Sequence, residues 1–307
     1  MFRLGTRGST LARRQSSLIA EALQARGVRI ELITIVTEGD IRPPDTAWGE
    51  GVFVGALEAA LRDGSVDIAV HSAKDVPIEP EEDLVIAAFP SRADPRDALV
   101  AGAASLVELP GGARVGTDSP RRTGFLRAAR ADLDVVPLSG NVDSRLRRLD
   151  DGEVDALVLA VAGLERLGLS GRISQILAAD VVPPAPGQGA LAVQVRRDAG
   201  DLRDLVASID DPATRLAVTA EREVLRESGG GCRAPLGALA SMEGDRFTLL
   251  AGAVDPSGSG RVLEVRSGSA ADALRMARDL GSLLRVTTLT DPGAASGHAS
   301  ISGRERG

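Results

Sequence analysis

One pattern of strand, loop and helix occurs twice in the first half of the chain, and this repetition constrains the fold more than any other feature. Residues 4–6 and 115–117 each end an apolar run with Gly-Thr and precede a loop and a helical pattern. Residues 63–70 and 151–158 also match in order and residue type. Alternating strands and helices predict α/β architecture. The repeat predicts two similar α/β domains, the alternative being reuse of common turn chemistry.

The remaining segments predict how the chain is divided. The Pro- and Gly-rich segment 183–189 turns the chain, and the apolar run 190–195 predicts a strand that returns to the first domain. Helix and strand patterns follow from residue 211, and the Gly-, Ser- and Ala-rich end shows no periodicity. We expect a first α/β domain over 1–90 and 190–208, a second over 94–184, a small α+β domain over 211–290, and a disordered tail over 291–307.

Composition excludes several classes of function. A net charge of −7 and a pI near 5.1 do not suit a nucleic-acid surface, which needs concentrated positive charge. The single cysteine excludes an internal disulfide and a cysteine-based metal cluster, and the two histidines lack zinc spacing. We expect no metal site, although a carboxylate magnesium site stays open. Without a signal pattern or an apolar run of ~20 residues, a soluble cytoplasmic protein is expected.

Lysine is used once. Lys74 is the only lysine among 36 basic residues, so the other 35 are arginines and a compact ammonium is predicted to be functional here. Lys74 lies in the segment His-Ser-Ala-Lys-Asp-Val-Pro, directly after a predicted strand, where open α/β sheets bind their ligands. Neighbours on an extended chain point to opposite sides, so Asp75 is expected to have its own partner and role. His71 is more typical of hydrogen-bonded structure than of catalysis.

Arginines recur where predicted helices begin. Arg7, Arg121, Arg122 and Arg145 lie at three loop–helix junctions, where the helix dipole disfavours positive charge. Backbone N–H groups at such ends favour anions, and a bound polyanion would remove the conflict. The alternative for each arginine is a solvated surface side chain.

Cys232 follows three glycines and precedes Arg233. A glycine-rich loop can present a sulfur, and a neighbouring guanidinium favours the thiolate. A lone cysteine can also be an inert, buried apolar residue. The loop favours a covalent role.

These motifs together resemble the porphobilinogen deaminase (hydroxymethylbilane synthase) family over about residues 2–284. The matching segments occur in family order: 6–9 (TRGS), 71–77 (HSAKDVP), 94–97 (DPRD), 119–122 (SPRR), 140–142 (GNV), 159–164 (LAVAGL), 186–189 (PGQG) and 230–232 (GGC).

The resemblance implies a fold and an activity. The fold would be two similar α/β domains of the periplasmic-binding-protein type flanking a cleft, plus a small α+β C-terminal domain that carries the cofactor cysteine. The enzyme would be a monomeric transferase that condenses four porphobilinogen molecules head to tail, with loss of ammonia, to hydroxymethylbilane in tetrapyrrole (haem) biosynthesis. Its dipyrromethane cofactor would be attached to Cys232 by a thioether, and neither nucleic acid nor a membrane would be a partner.

Roles for individual residues follow from motif position within this resemblance. Asp75 would be the catalytic carboxylate that stabilises cationic intermediates. Because each pyrrole carries an acetate and a propionate, arginines would bind the chain's carboxylates. The cofactor would be bound by Ser72, Lys74, Thr117, Ser119, Arg121, Arg122 and Arg145, and the substrate by Arg7, Ser9, Arg166 and Gln188.

Three positions depart from the family pattern. Ser139 stands where an arginine that binds cofactor carboxylate is usual, Glu50 where a lysine is frequent, and Asp118 where a small residue is usual. Arg147 or Arg148 could compensate, or the changes could mark a degenerate, slow deaminase.

Two other functions stay open on the sequence. One is a non-enzymatic, small-molecule anion-binding protein of the same architecture. The other is an enzyme that uses Lys74 for a Schiff base or Cys232 as an acyl-forming nucleophile, although no partner base is visible for either.

Overall fold

A computed structural model describes residues 1–36, 54–79, 81–231 and 233–288. The described helices are α1 (Thr10–Gln24), α2 (Gly55–Arg62), α3 (Pro120–Ala129), α4 (Val142–Asp150), α5 (Val161–Arg166), α6 (Asp201–Ala207), α7 (Pro212–Ser228) and α8 (Ala273–Thr288). The strands are β1 (Phe2–Arg7), β2 (Ile30–Ile35), β3 (Ile68–Ser72), β4 (Leu84–Ala88), β5 (Asp97–Ala101), β6 (Arg114–Gly116), β7 (Asp134–Val136), β8 (Ala156–Ala160), β9 (Gln175–Ile176), β10 (Leu191–Arg196), β11 (Leu236–Glu243), β12 (Arg246–Ala253) and β13 (Val262–Ser269).

Two five-stranded sheets have the same topology. Their orders are β2-β1-β3-β10-β4 and β7-β6-β8-β5-β9. In each sheet the first three strands are parallel, and the fourth runs antiparallel to both of its neighbours. The predicted fold class, with two similar α/β units and a smaller α+β unit, is confirmed.

The chain moves from one sheet to the other as it enters each antiparallel strand. β5 follows β4 along the chain but lies in the second sheet, whereas β10 follows β9 but lies in the first. The backbone therefore passes between the sheets twice, through residues 89–96 and 177–190. These two segments are called the crossings below.

Serine caps begin two of the helices that face the cleft between the sheets. The Ser9 side chain accepts a hydrogen bond from Ala12 N at the start of α1, and Ser119 accepts one from Arg122 N at the start of α3. Such caps satisfy N–H groups that a helix leaves without partners. Pro120 occupies the first position of α3, where its missing N–H has no cost.

The third sheet is an antiparallel meander of β11, β12 and β13, and α7 and α8 pack against it. Phe247, Leu249, Val224 and Leu280 are fully buried in this core. Strand β11 was not predicted. Its sequence, Leu-Gly-Ala-Leu-Ala-Ser-Met-Glu, contains no β-branched or aromatic residue, so its local preference for a strand is weak. Pairing with β12 along its whole length makes this segment a strand.

A buried carboxylate joins this third unit to both crossings. Glu221 of α7 is fully buried and forms two bonds with Arg92 of the first crossing, at 2.6 and 2.9 Å. It also accepts hydrogen bonds from the backbone N–H groups of Gly187 in the second crossing and Ala240 in β11. The Glu221 side chain therefore joins α7 to three other parts of the chain, namely the two crossings and β11.

Replacement of Glu221 by Gln is expected to lower the free energy of unfolding by about 3 kcal/mol or more, because it leaves Arg92 buried without its counter-charge. The measurement is urea unfolding of both proteins. The matched control is Asp83→Asn, which breaks an exposed pair with Arg62 of similar length, 2.7 Å, and should cost below about 1 kcal/mol. Equal losses in the two variants would contradict a special role for Glu221.

In the part of the chain that the structure describes, no helix combines the length and apolar character needed to cross a bilayer.

Candidate active site

A cavity of about 1100 Å³ lies between the two five-stranded sheets, and a smaller one of about 240 Å³ adjoins it. Lys74, Asp75 and Arg122 line both cavities. Gly231 and Arg233, which flank position 232, line the smaller one. Cys232 itself, Glu50 and the expected tail over 291–307 lie outside the described residues.

The structure brings most of the predicted site residues to these two cavities. Thr117 lines neither of them, because it is 2% exposed and its hydroxyl accepts a hydrogen bond from Ser119 N. The larger cavity is lined by Arg7, Ser9, Ser72, Lys74, Asp75, Arg122, Arg145, Arg166 and Gln188, and the smaller one adds Ser119 and Arg121.

The wall of the larger cavity is cationic although the chain is acidic overall. Eight basic side chains face four carboxylates there. Such a wall attracts an anion with several charges. The basic residues are Arg7, Lys74, Arg122, Arg145, Arg147, Arg148, Arg166 and Arg233, and the acidic ones are Asp75, Asp118, Asp143 and Asp151.

Asp75 presents a carboxylate to this cationic cleft. It ends the short 3-10 turn Ala73–Asp75 directly after β3, so it lies at the carboxyl end of that strand, and it is exposed. Lys74 does not pair with it: the Lys74 ammonium donates a hydrogen bond to Gln188 Oε1 at 3.2 Å. Within the described part of the chain, no hydrogen bond or ion pair engages the Asp75 carboxylate. It can therefore act on a ligand.

Among the cations of the site whose pKa is lowered by burial, three have no carboxylate of the described structure bonded to them. Burial lowers the pKa of Lys74 to about 8, although the neighbouring Asp75 charge acts in the opposite direction. Burial also lowers the pKa of Arg145 to about 10 and that of Arg166 to about 10. Each of these two arginines donates a hydrogen bond to a backbone carbonyl, Arg145 to Gly140 O and Arg166 to Gly189 O. All three stay mainly charged at neutral pH and bond no carboxylate among the described residues, which suits anion binding.

The arginines at the start of α3 have a partner that the sequence did not reveal. Asp97 at the start of β5 is fully buried and lies 2.9 Å from Arg121 Nη1 and 2.7 Å from Arg122 Nη2. Burial alone would raise the pKa of Asp97, but the two guanidinium groups outweigh it and hold that pKa well below its usual range. Asp97 therefore relieves part of the electrostatic conflict expected at the start of α3 from within the chain.

Two of the positions that depart from the family pattern lie on the cavity wall. Ser139 is 5% exposed and lines the larger cavity together with Arg147 and Arg148. Arg148 bonds Glu153 at 2.7 Å, whereas Arg147 is exposed. Asp118 lines both cavities, and its negative charge raises the pKa of Arg145, which partly offsets the lowering caused by burial. The wall therefore keeps cations close to Ser139.

A cation-lined cleft between two α/β units, with one exposed carboxylate at a strand end, defines a protein that holds a small molecule carrying several carboxylates. Residues 2–204 match the family model described as porphobilinogen deaminase, dipyromethane cofactor binding domain, and residues 215–288 match that family's C-terminal domain. The chain belongs to the porphobilinogen deaminase family.

Similar proteins cover almost the whole chain. The porphobilinogen deaminase of Acidothermus cellulolyticus is 50% identical over 288 residues, which is 91% of this chain and 87% of the relative. That of Roseiflexus castenholzii is 48% identical over 301 residues, 95% of this chain and 97% of the relative. Among solved structures, a periplasmic substrate-binding protein from Coxiella burnetii aligns with 70% of this chain and 94% of its own, at 20% identity and a TM-score of 0.44.

The family's cofactor, a dipyrromethane, fits the residues of the cleft. Its pyrrole rings carry carboxylates, and the cations with lowered pKa values, Lys74, Arg145 and Arg166, have no carboxylate of the protein bonded to them in the described structure. Those groups are placed to receive carboxylates of a ligand.

His71 is a structural residue. It is 5% exposed within β3, and its Nε2 lies 3.0 Å from Gln194 Oε1, while Gln194 Nε2 donates to Glu58. Burial lowers the pKa of His71 to about 4, the hydrogen bond to Gln194 acts in the opposite direction, and the charge of Arg7 lowers it further.

This burial predicts a pH-dependent stability. Between about pH 4 and 6.5 the unfolded chain protonates His71 and the folded chain does not, so the free energy of unfolding falls as pH falls, by up to about 1.4 kcal/mol per unit. Urea unfolding at several pH values should show this slope reduced in His71→Gln. Identical slopes in the two proteins over that range would contradict the buried, neutral state of His71.

Proposed function

We propose that this chain condenses four porphobilinogen molecules head to tail, releasing ammonia at each addition, to give hydroxymethylbilane for tetrapyrrole biosynthesis. The observation that carries this proposal is the exposed Asp75 carboxylate in the cation-lined cleft of a porphobilinogen deaminase family member. When bound, the dipyrromethane supplies the pyrrole end from which the product is extended. We propose Cys232 as its attachment point, and the flanking Gly231 and Arg233 on the wall of the smaller cavity support that choice.

The cofactor's carboxylates would be held mainly by the residues shared between the cavities. Lys74 and Arg145 line both cavities and bond no carboxylate among the described residues, while Ser72 lines the larger cavity and Ser119 the smaller one. Arg121 and Arg122 each bond Asp97. We propose that Arg121 and Arg122 supply further positive charge that attracts the cofactor's carboxylates. Thr117 would act indirectly, because its hydroxyl supports the turn that places Ser119.

Substrate carboxylates would be bound on the opposite wall. Arg7 and Ser9 stand at the N-terminal end of α1, where the helix dipole adds to the attraction of an anion, and Arg166 lies at the end of α5. Binding through carboxylates leaves the reacting aminomethyl carbon and pyrrole N–H directed away from the arginines.

Asp75 would stabilise the positive charge that develops on the substrate. When the carbon–nitrogen bond of the aminomethyl group breaks, ammonia leaves with the bonding electron pair and the pyrrole ring becomes cationic. A cationic wall opposes this step, so a carboxylate that accepts a hydrogen bond from the pyrrole N–H lowers its barrier. Asp75 is exposed, adjacent to both cavities and uncommitted to protein donors within the described residues.

We further propose a monomeric, cytoplasmic enzyme with the domain bounds expected from the sequence. The membership of each strand in the three sheets supports the bounds.

Asp75→Asn is expected to lower kcat by two to three orders of magnitude, the typical cost of removing one preorganised electrostatic group. The measurement is the initial rate of hydroxymethylbilane formation from porphobilinogen. Asp143→Asn is the matched control, because it removes the same charge from the cavity wall at α4 and should leave kcat within about threefold. If Asp75→Asn kept near-wild-type rates, its assignment would be wrong.

Cofactor attachment is tested by the mass of the intact protein. Wild-type chain from a porphobilinogen-replete host should carry an adduct of two pyrrole units, and Cys232→Ser should lack it because serine offers no thiolate. Asp75→Asn should keep the adduct. A bare wild-type polypeptide, or an adduct that survives in Cys232→Ser, would contradict attachment at this cysteine.

A further inference from the structure

Gln188 lies in a turn that only glycines can flank. Gly187 and Gly189 have φ values of 77° and 86°. A Cβ atom at position 187 would lie 3.2 Å from the backbone of Lys74, and one at position 189 would lie 2.5 Å from Ala93 O. The turn is therefore wedged between the Lys74 segment and the first crossing, and side chains at either glycine would push it out.

The side-chain amide of Gln188 can take only one orientation. Its Nε2 donates to Pro95 O and to Asp97 Oδ1, both at 2.8 Å. Because both partners are acceptors, the nitrogen must face them and the oxygen must face the opposite way. Oε1 there accepts from Lys74 Nζ at 3.2 Å and lies 3.5 Å from Arg122 Nη2.

All hydrogen-bonding groups of this amide have partners within the protein. Gln188 forms part of the wall of both cavities, yet it is 0% exposed. Its two nitrogen-bound protons and its oxygen all have partners within the chain. A carboxylate of the substrate would have to displace Pro95 or Asp97 to reach the amide nitrogen.

The backbone of the turn is held from three directions. Gly187 N donates to Glu221 Oε2 at 2.7 Å, Gln188 O accepts from Arg92 Nε at 2.8 Å, and Gly189 O accepts from Arg166 at 2.6 Å. The buried pair of Glu221 and Arg92 therefore sets the position of Gln188 from the side of the C-terminal unit.

We propose that Gln188 is a positioning residue that fixes the Lys74 ammonium beside Asp75, and that it does not bind the substrate. This inference rests on the proposed function, because it assigns Gln188 a task within that site. It replaces the substrate-binding role expected from the sequence. The amide oxygen gives Lys74 one defined acceptor in a place where Arg122 would otherwise repel it.

The charge of Lys74 makes this role measurable. Burial already lowers the pKa of Lys74 to about 8, so loss of its acceptor should shift the titration within an accessible pH range. Lys74 is also the only lysine of the chain. Reductive methylation with ¹³C-formaldehyde therefore labels one side chain, whose signal is distinct from that of the N-terminal amine.

The experiment titrates labelled Lys74 by NMR in the holoenzyme and its variants. Gln188→Met removes the acceptor at similar volume and should lower the Lys74 pKa by at least about half a unit, whereas Gln188→Glu places a carboxylate there and should raise it. The matched control is Gln194→Met, which removes another buried amide, bonded to His71 and Glu58, and should leave the Lys74 titration unchanged.

Steady-state kinetics separate positioning from substrate binding. Positioning predicts that Gln188→Met lowers kcat at least tenfold with KM for porphobilinogen nearly unchanged. A raised KM with an unmoved Lys74 titration would overturn the proposal in favour of a substrate ligand. An unmoved titration in both Gln188 variants overturns it whatever the rates. Failure of the proposed function would instead appear as wild-type protein without condensing activity.

Discussion

The structure depends on two buried carboxylates that bind the crossings between the α/β units. Glu221 holds Arg92 and Gly187, one from each crossing, and Asp97 holds Arg121 and Arg122 at the start of α3. Leaving any of these charges without its partner would cost several kcal/mol, because each is out of water. The paired charges therefore specify how the two crossings lie against each other, and the cleft between the sheets follows from that arrangement.

This arrangement divides the cations of the cleft into two groups. Asp97 pairs with both Arg121 and Arg122 and offsets one of their two charges, so this cluster stabilises the fold and keeps a net positive charge. Within the described residues, the hydrogen bonds of Lys74, Arg145 and Arg166 go to neutral oxygens, of Gln188, Gly140 and Gly189. A ligand's carboxylates gain most from this second group, since no carboxylate of the described residues is bonded to them. The protein thus separates charges that hold the fold from charges that are available to a ligand.

The sequence predicted the parts of this design that depend on local pattern. The repeated strand–loop–helix units and the polar segment after β3 are each signalled by a short, continuous stretch of sequence. Strand β11 was missed because only pairing with β12 makes it a strand. Asp97 and Glu221 were missed as organising residues because their partners lie 25 and 129 positions away, and no local signal joins them.

The use of lysine at position 74 in an arginine-rich chain follows from the same geometry. Lys74 has one acceptor, Gln188 Oε1, in a half-buried place between Asp75 and Arg122. A guanidinium has five N–H donors in a rigid fork and would leave several of them unsatisfied there, whereas an ammonium is compact and can turn its other donors towards the cleft. Its pKa is lowered to about 8, closer to neutrality than the value of about 10 for Arg145 in a comparably buried position. An ammonium is therefore the cation that this position can hold while still responding to the charge of whatever enters the cleft.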